Sequence, residues 1–355
     1  MSTQDVIFEK IGCCGVISLN RPRALNAVTL DMVYAISAAL KTYAADPAIA
    51  CVAIRSTSAR AFCSGGDIKT LYELGCADKH AEQMAFFRAE YNLCRQISRF
   101  PKPYVALIDA ITMGGGVGAS IYGSHRVAGE ALQFAMPEVG IGFFPDIGGT
   151  FFLPRLKGKF GTYLALTGSP VGTGDALVLG IATAHVPAAR FDSLLGRLSE
   201  GADVDEAIAA ETAAIPDTPL LRQKDLIEEC FAPADVAGIL EKLDAAGRTG
   251  SAFAVKTVET LRSRSPTSLA IALRQMQLGP NLDLESALRL EFRLGQHVVR
   301  GHDYYEGVRT ALIDKHDKPR WKPADISHVS AKEIDDCFTP LTEGELIFSA
   351  PAGAA

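Results

Sequence analysis

Residues 104–124 read YVALIDAITMGGGVGASIYGS. The run "YVALIDA" reads as a strand. A triple glycine at 114–116 follows it, and then a segment with the texture of a helix. Glycine supplies the backbone freedom for so abrupt a change of direction. A strand, a glycine turn and a helix in that order imply a layered α/β domain.

The same texture extends towards the amino end. "VIFEKI" and "CGVISLN" read as a hairpin pair turned at Gly12 to Gly15, and "LDMVYAISAALKTYAAD" carries apolar residues at helical spacing. "IACVAIRST" reads as another buried strand. "FCSGGDI" (62–68) repeats the strand-to-glycine pattern and opens the helix "IKTLYELG", with Asp67 placed to cap it. A longer helix, Lys79 to Ser98, leads through Pro101 and Pro103 back to residue 104. On the other side, "HRVAGEALQFAMPE" predicts two more short strands. From about Leu153 the texture changes: residues 190–294 are rich in Ala, Leu and Glu, with Pro216, Pro233, Pro266 and Pro280 as punctuation. The expected division is therefore an α/β core over residues 1–200 and a mainly helical region over 201–355. The last residues, "TPLTEGELIFSAPAGAA" (339–355), read as frayed.

Composition excludes several classes. Hydrophobic residues make up 48% of the 355-residue chain and charged residues 21%, and the net charge is 35 − 41 = −6. Lys and Arg are scattered, whereas a nucleic-acid groove needs a dense basic stripe, so no nucleic-acid partner is expected. The eight cysteines form no CxxC pair, and no histidine cluster has ligand spacing, so neither a disulfide framework nor a zinc site is predicted. No apolar run of 18 residues occurs, so no membrane span is expected. The first residues lack an apolar signal core or Arg/Ser-rich transit character, which predicts a cytoplasmic protein.

Three glycine clusters stand out: "FCSGGDI" at 62–68, "TMGGGVGAS" at 112–120 and "GFFPDIGGT" at 142–150. Any one alone reads as a tight turn. "GGGVGAS" lacks the GxGxxG spacing of a dinucleotide site. The first two share a context, strand then glycines then helix start, which leaves backbone N–H groups free. Two such groups converging on one point would make an oxyanion hole. The third cluster follows a carboxylate: Glu138 in "MPEVGIG" and Asp146 in "FFPDIGG" lie eight residues apart in apolar company. From pattern alone these acids read either as structural, in a capped turn or buried ion pair, or as functional. Glu90, near Arg88 and Arg95, reads as an ordinary surface salt bridge. His125 and His185 are single histidines, and no GxSxG motif supports a hydrolase triad.

Taken in order, "FCSGGDI", "YVALIDAITMGGGVGAS", "HRVAGEALQFAMPEVGIGFFPDIGGTFFLPRL" and "LALTG" resemble the crotonase (enoyl-CoA hydratase/isomerase) superfamily. "FAMPE…IGFFPDIGG…FLPRL" and the late "DYYEGVRTALIDKHDKPRWKP" are similar to its branch of 3-hydroxyisobutyryl-CoA hydrolases of valine degradation. The resemblance covers essentially the whole chain. It implies a crotonase-like spiral of ββα units with a helical C-terminal region, and an oxyanion hole made by the Gly66 and Gly115 N–H groups. It further implies Glu138 and Asp146 as catalytic acids, with Gly66, Asp67, Glu90, Gly115, Glu138 and Asp146 as substrate-binding positions. Hydratases of the superfamily use two glutamates; this chain has Gly118 in place of one, and Asp146 where they usually carry glycine.

The implied reaction is hydrolysis of a short β-hydroxyacyl-CoA thioester. An enoyl-CoA hydratase/isomerase and a catalytically silent interaction protein of the same fold are the alternatives. CoA belongs to the substrate, and no separate cofactor or metal is implied. By family analogy the chain forms a trimer or hexamer of itself.

Overall fold

A computed structural model describes residues 4–348. Nine strands occur among them: β1 (Val6–Ile11), β2 (Cys14–Leu19), β3 (Cys51–Ser56), β4 (Ala61–Cys63), β5 (Tyr104–Ile108), β6 (Ile111–Met113), β7 (His125–Ala128), β8 (Gln133–Ala135) and β9 (Ala184–His185). They form a six-stranded sheet in the order β1-β2-β3-β5-β7-β9 and a three-stranded sheet in the order β4-β6-β8. Only the β1–β2 ladder is antiparallel; every other ladder is parallel. Three times over, a longer strand enters the large sheet and a three-residue strand then enters the small one. This repeated ββα winding is the crotonase-type spiral.

Two compact units divide the chain, each assembled from three segments. The first holds Met1–Ile68, Leu93–Pro137 and Ser169–Leu226; the second holds Lys69–Asn92, Glu138–Gly168 and Ile227–Ala355. Beyond His185 the described residues form helices and loops alone, in keeping with the texture of that half.

In the first unit the pleat decides the core. Alternate residues Cys14 and Val16, Cys51 and Ala53, Val105 and Leu107, and Val127 point to one face. There they bury Leu194, Leu195 and Leu198 of the helix Phe191–Ser199, with Ala207 and Ile208 of the helix Val204–Glu211. β2 and β5 are buried along their whole length, which explains why β5 is wholly apolar and β2 is apolar but for Ser18.

The hairpin turns at Gly12 and Cys13, since Ile11 pairs with Cys14. Gly12 has φ +54°, and the Cys13 N–H donates to the Ser199 carbonyl at 3.0 Å. A β-carbon on Gly12 would collide with that same carbonyl.

The second unit is helical. Its later helices start on side chains that accept first-turn N–H bonds: Asp235, Ser251, Ser265, Asp283 and Ser330. Pro266 follows its cap at the first helical position, where its missing N–H costs nothing.

The described part of the carboxyl end departs from expectation, because it is docked. Arg293 grips the Glu345 carboxylate with bonds of 2.7–3.0 Å, while Arg88 donates to the carbonyls of Gly344 and Glu345. Leu346 is buried, and Arg289 lies 5.2 Å from the Phe348 ring. Glu345, with the buried side chains of Leu346 and Phe348, anchors the segment "GELIF"; residues 349–355 lie outside the described part.

Gly12→Ala places a β-carbon at a positive φ against backbone that cannot yield. It is expected to cost about 1–3 kcal/mol and to lower the melting temperature by about 3–10 °C in a calorimetric scan.

Candidate active site

In the first unit β4 and β6 run parallel, with Ala61 opposite Ile111 and Cys63 opposite Thr112. Both strands end in a glycine turn, at Gly65 (φ +116°) and Gly114 (φ +45°). The turns lie against each other: a β-carbon on Gly65 would stand 3.7 Å from the Gly114 α-carbon and 3.9 Å from the Gly115 nitrogen. Glycine at 116 is needed for a different reason, since a β-carbon there would come within 2.7 Å of Cys63.

A bridge to Val28 settles the hydrogen bonding at Gly66. The Val28 N–H donates to Gly65, and its carbonyl accepts from Asp67, both at 2.8 Å. That pattern uses the neighbours of Gly66 and leaves its own N–H outside the bridge. Gly115 is the first residue of a helix and so has no intrahelical acceptor. That helix is a single turn, Gly115–Gly118, shorter than the sequence implied, so little of any dipole effect belongs to it. The Asp67 carboxylate is occupied by Arg21 at 2.9 Å.

The second unit gathers the acids. Glu90 sits on the helix His80–Ser98, Glu138 begins the short turn Glu138–Ile141, and Asp146 ends the loop "GFFPD". That loop is seated by aromatic packing: Phe143 stacks on Phe144 at 4.3 Å and on Phe87 at 5.4 Å, with Tyr304 5.8 Å away. All three acids are buried, with relative exposures of 5% for Glu90, 7% for Glu138 and 5% for Asp146.

Glu90 is thus no surface ion pair, and Arg88 turns instead to the carboxyl-terminal segment. Its helix places Glu90 on the stripe of Phe86, Phe87, Leu93 and Cys94, so burial overrides the neighbouring charges. Among the described residues no cation pairs with Glu90, Glu138 or Asp146.

Electrostatics follow from that geometry. Burial raises the Glu138 carboxyl well above the usual range, and the Asp146 charge adds to it. Burial and then Asp146 do the same to Glu90. Asp146 itself is pushed up to about 7 by burial, opposed by a hydrogen bond from the Tyr91 hydroxyl at 2.9 Å. Buried Glu90 Oε1 and Glu138 Oε2 accept no hydrogen bond among the described residues. A structural carboxylate would be paired, because an unsatisfied buried acceptor costs about 1–3 kcal/mol. No cation among the described residues makes Glu138 half of an ion pair. What remains is a cluster of buried acids whose carboxyls are all pushed above the usual carboxylate range.

Two further members went unread in the sequence. Tyr91 lies next to Glu90 and is fully buried; Glu291, also fully buried, lies on the helix Leu284–Val298. The signal for Glu291 was present, an acid on the buried stripe Ala287, Leu288, Leu294 and Gly295.

Comparison with known proteins agrees with the fold. The family model described as enoyl-CoA hydratase/isomerase matches residues 14–338. A mitochondrial 3-hydroxyisobutyryl-CoA hydrolase from Danio rerio is 44% identical over 352 residues, covering 96% of this chain and 91% of that protein. The Homo sapiens protein of the same name is 42% identical over 359 residues, covering 98% and 92%. Among solved structures, a carnitinyl-CoA dehydratase from Mycobacterium thermoresistibile superposes with a TM-score of 0.92 at 36% identity, covering 98% of this chain and 99% of its own. An enoyl-CoA hydratase from Rhodobacter sphaeroides 2.4.1 gives 0.91 at 39%, covering 97% and 100%.

The expected cytoplasmic location is overturned, because these curated relatives are mitochondrial by name. Reduced thiols and ordinary globular composition are common to both compartments, so composition could not separate them.

The raised carboxyl of Asp146 has a stability consequence. Its neutral form stabilises the fold fully below the ordinary carboxylate range, and that contribution is lost as pH rises through about 7. Asp146→Asn is therefore expected to melt about 2–6 °C above the parent at pH 8.5, with the gap closing towards pH 4. Melting curves across that range check it; a gap independent of pH would contradict it.

Proposed function

The chain belongs to the enoyl-CoA hydratase/isomerase family, and from that premise we infer that it hydrolyses 3-hydroxyisobutyryl-CoA to 3-hydroxyisobutyrate and CoA. The observation that carries this reading is the cluster of buried acids with no counter-ion, in a chain whose curated relatives bear that activity by name. These relatives are mitochondrial by name, which supports that compartment, and valine degradation is the setting that the family resemblance implies.

Thioester hydrolysis asks for two things: donors for the carbonyl oxygen as it gains charge, and a carboxylate to attack or to activate water. The Gly66 and Gly115 N–H groups suit the first task. Glu138 is assigned the second, either attacking the carbonyl to give a mixed anhydride or taking the proton of the attacking water. Asp146 orients the water or the substrate hydroxyl and delivers a proton to the departing CoA thiolate. Its carboxyl, poised near neutrality, can both hold and release that proton. Glu90, with one oxygen unpaired, is a candidate for binding the substrate hydroxyl. A homotrimer or hexamer remains part of the proposal.

A hydratase reading has its own support, since the two solved structures at 36% and 39% identity are described as a dehydratase and a hydratase. Gly118 weighs against it, since glycine offers no carboxyl for a two-glutamate hydration. A thiol-trapping assay separates the two: CoA release from 3-hydroxyisobutyryl-CoA is expected, with no comparable hydration of crotonyl-CoA. Reversed activities would overturn the hydrolase assignment.

Glu138→Gln is expected to lower kcat by about 10²–10⁴-fold while leaving acyl-CoA binding nearly unchanged by calorimetry. Single-turnover hydrolysis in oxygen-18 water distinguishes the two routes, since the anhydride route alone labels Glu138. Asp146→Asn removes the charge that raises Glu138, so the acid limb of kcat/KM should move to lower pH; a limb that stays in place would exclude the coupling.

A further inference from the structure

We propose that Glu291 is a positioning residue for Asp146, its carboxylate holding the turn that follows Asp146 in the one conformation that presents the catalytic acid. This rests on the reading of Asp146 given above and adds the residue that makes it workable.

Glu291 is fully buried. Its Oε2 accepts the Gly148 N–H at 2.6 Å and its Oε1 accepts the Thr150 N–H at 2.8 Å. Both donors belong to the turn directly after Asp146, whose own carbonyl accepts the Gly149 N–H at 2.7 Å. The turn needs holding, because Ile147 has φ +49° and Gly148 φ +84°. A branched side chain at positive φ persists only where its surroundings over-determine it.

Gln275 supplies a second hold, its Nε2 donating to the Pro145 carbonyl at 2.9 Å and to Thr150 Oγ1 at 2.7 Å. Asp146 is thereby fixed from both flanks, and Tyr91 fixes its Oδ2 from a third direction.

The residue type is the argument. Two backbone N–H groups, two residues apart, aim at one side chain from the same turn, and only a carboxylate offers an acceptor to each. Glutamine has one acceptor, and its amide N–H₂ would face a donor. Leucine would fill the space and leave both N–H groups unsatisfied. Filling alone does not call for an acid on a helix stripe, where burial pushes its carboxyl up and these donors favour the charged form.

The test compares the full-length parent with Glu291→Gln, Asp146→Asn and the double variant. Glu291→Gln should fold, lose kcat by about 10–100-fold through a misplaced acid, and keep KM within about twofold. In the Asp146→Asn background the same change should cost almost nothing more. Parental kcat in folded Glu291→Gln, or an equal loss in both backgrounds, would overturn the proposal. Parental turnover of Asp146→Asn alone would instead overturn the reading of Asp146 itself, which keeps the two failures apart. Should Glu291→Gln not fold, the parent still decides: the Gly148 and Thr150 amide protons should exchange slowly and resonate downfield in its NMR spectrum, and loop-like exchange would refute the clamp.

Discussion

Carboxyl groups buried without a cation are the constraint around which the second unit is organised. Glu90, Glu138, Asp146 and Glu291 each have a carboxyl pushed upward by burial. Taking a carboxylate out of water unpaired costs several kcal/mol, and the usual escape is to keep the proton. Burial favours that escape at Glu90 and Glu138, whereas Glu291 meets two backbone N–H donors. The rest of the unit supplies the rigidity that such a cluster undermines: stacked rings at Phe87, Phe143 and Phe144, capped helices, and the Tyr91 hydroxyl on Asp146.

Much of the frame was legible in the sequence, because local chemistry decided it. Short apolar runs became the buried strands, and glycine pairs became the turns after β4 and β6. What escaped was long-range. Nothing near Glu90 in sequence says that two neighbouring arginines will turn elsewhere. The "GELIF" segment looks loose until Arg293 is known to face it. The interleaving of the two units could not be seen either, since composition changes along the chain whereas compactness depends on which segments return to one another.

The site was half legible for the same reason. Glu138 and Asp146 carried a signal as acids in apolar company, yet pattern alone could not separate function from a buried pair. The missing cation and the unpaired Glu138 oxygen are facts of three dimensions. Glu291 carried a comparable signal, an acid on a buried helical stripe, but it lies 145 positions from Asp146 (291 − 146) and in a segment that read as plain helix.

That separation has a meaning for the order in which the molecule matures. Translation proceeds from the amino end at about 5–20 residues per second, so Asp146 leaves the ribosome roughly 7–30 s before Glu291. Until then its turn, with Ile147 and Gly148 in left-handed conformations, lacks the acceptor for its Gly148 and Thr150 N–H groups. The β2, β3, β5 and β7 ladders are complete by residue 128, well before the helix Leu284–Val298 exists. A nascent chain therefore owns a finished sheet long before it owns a finished acid cluster.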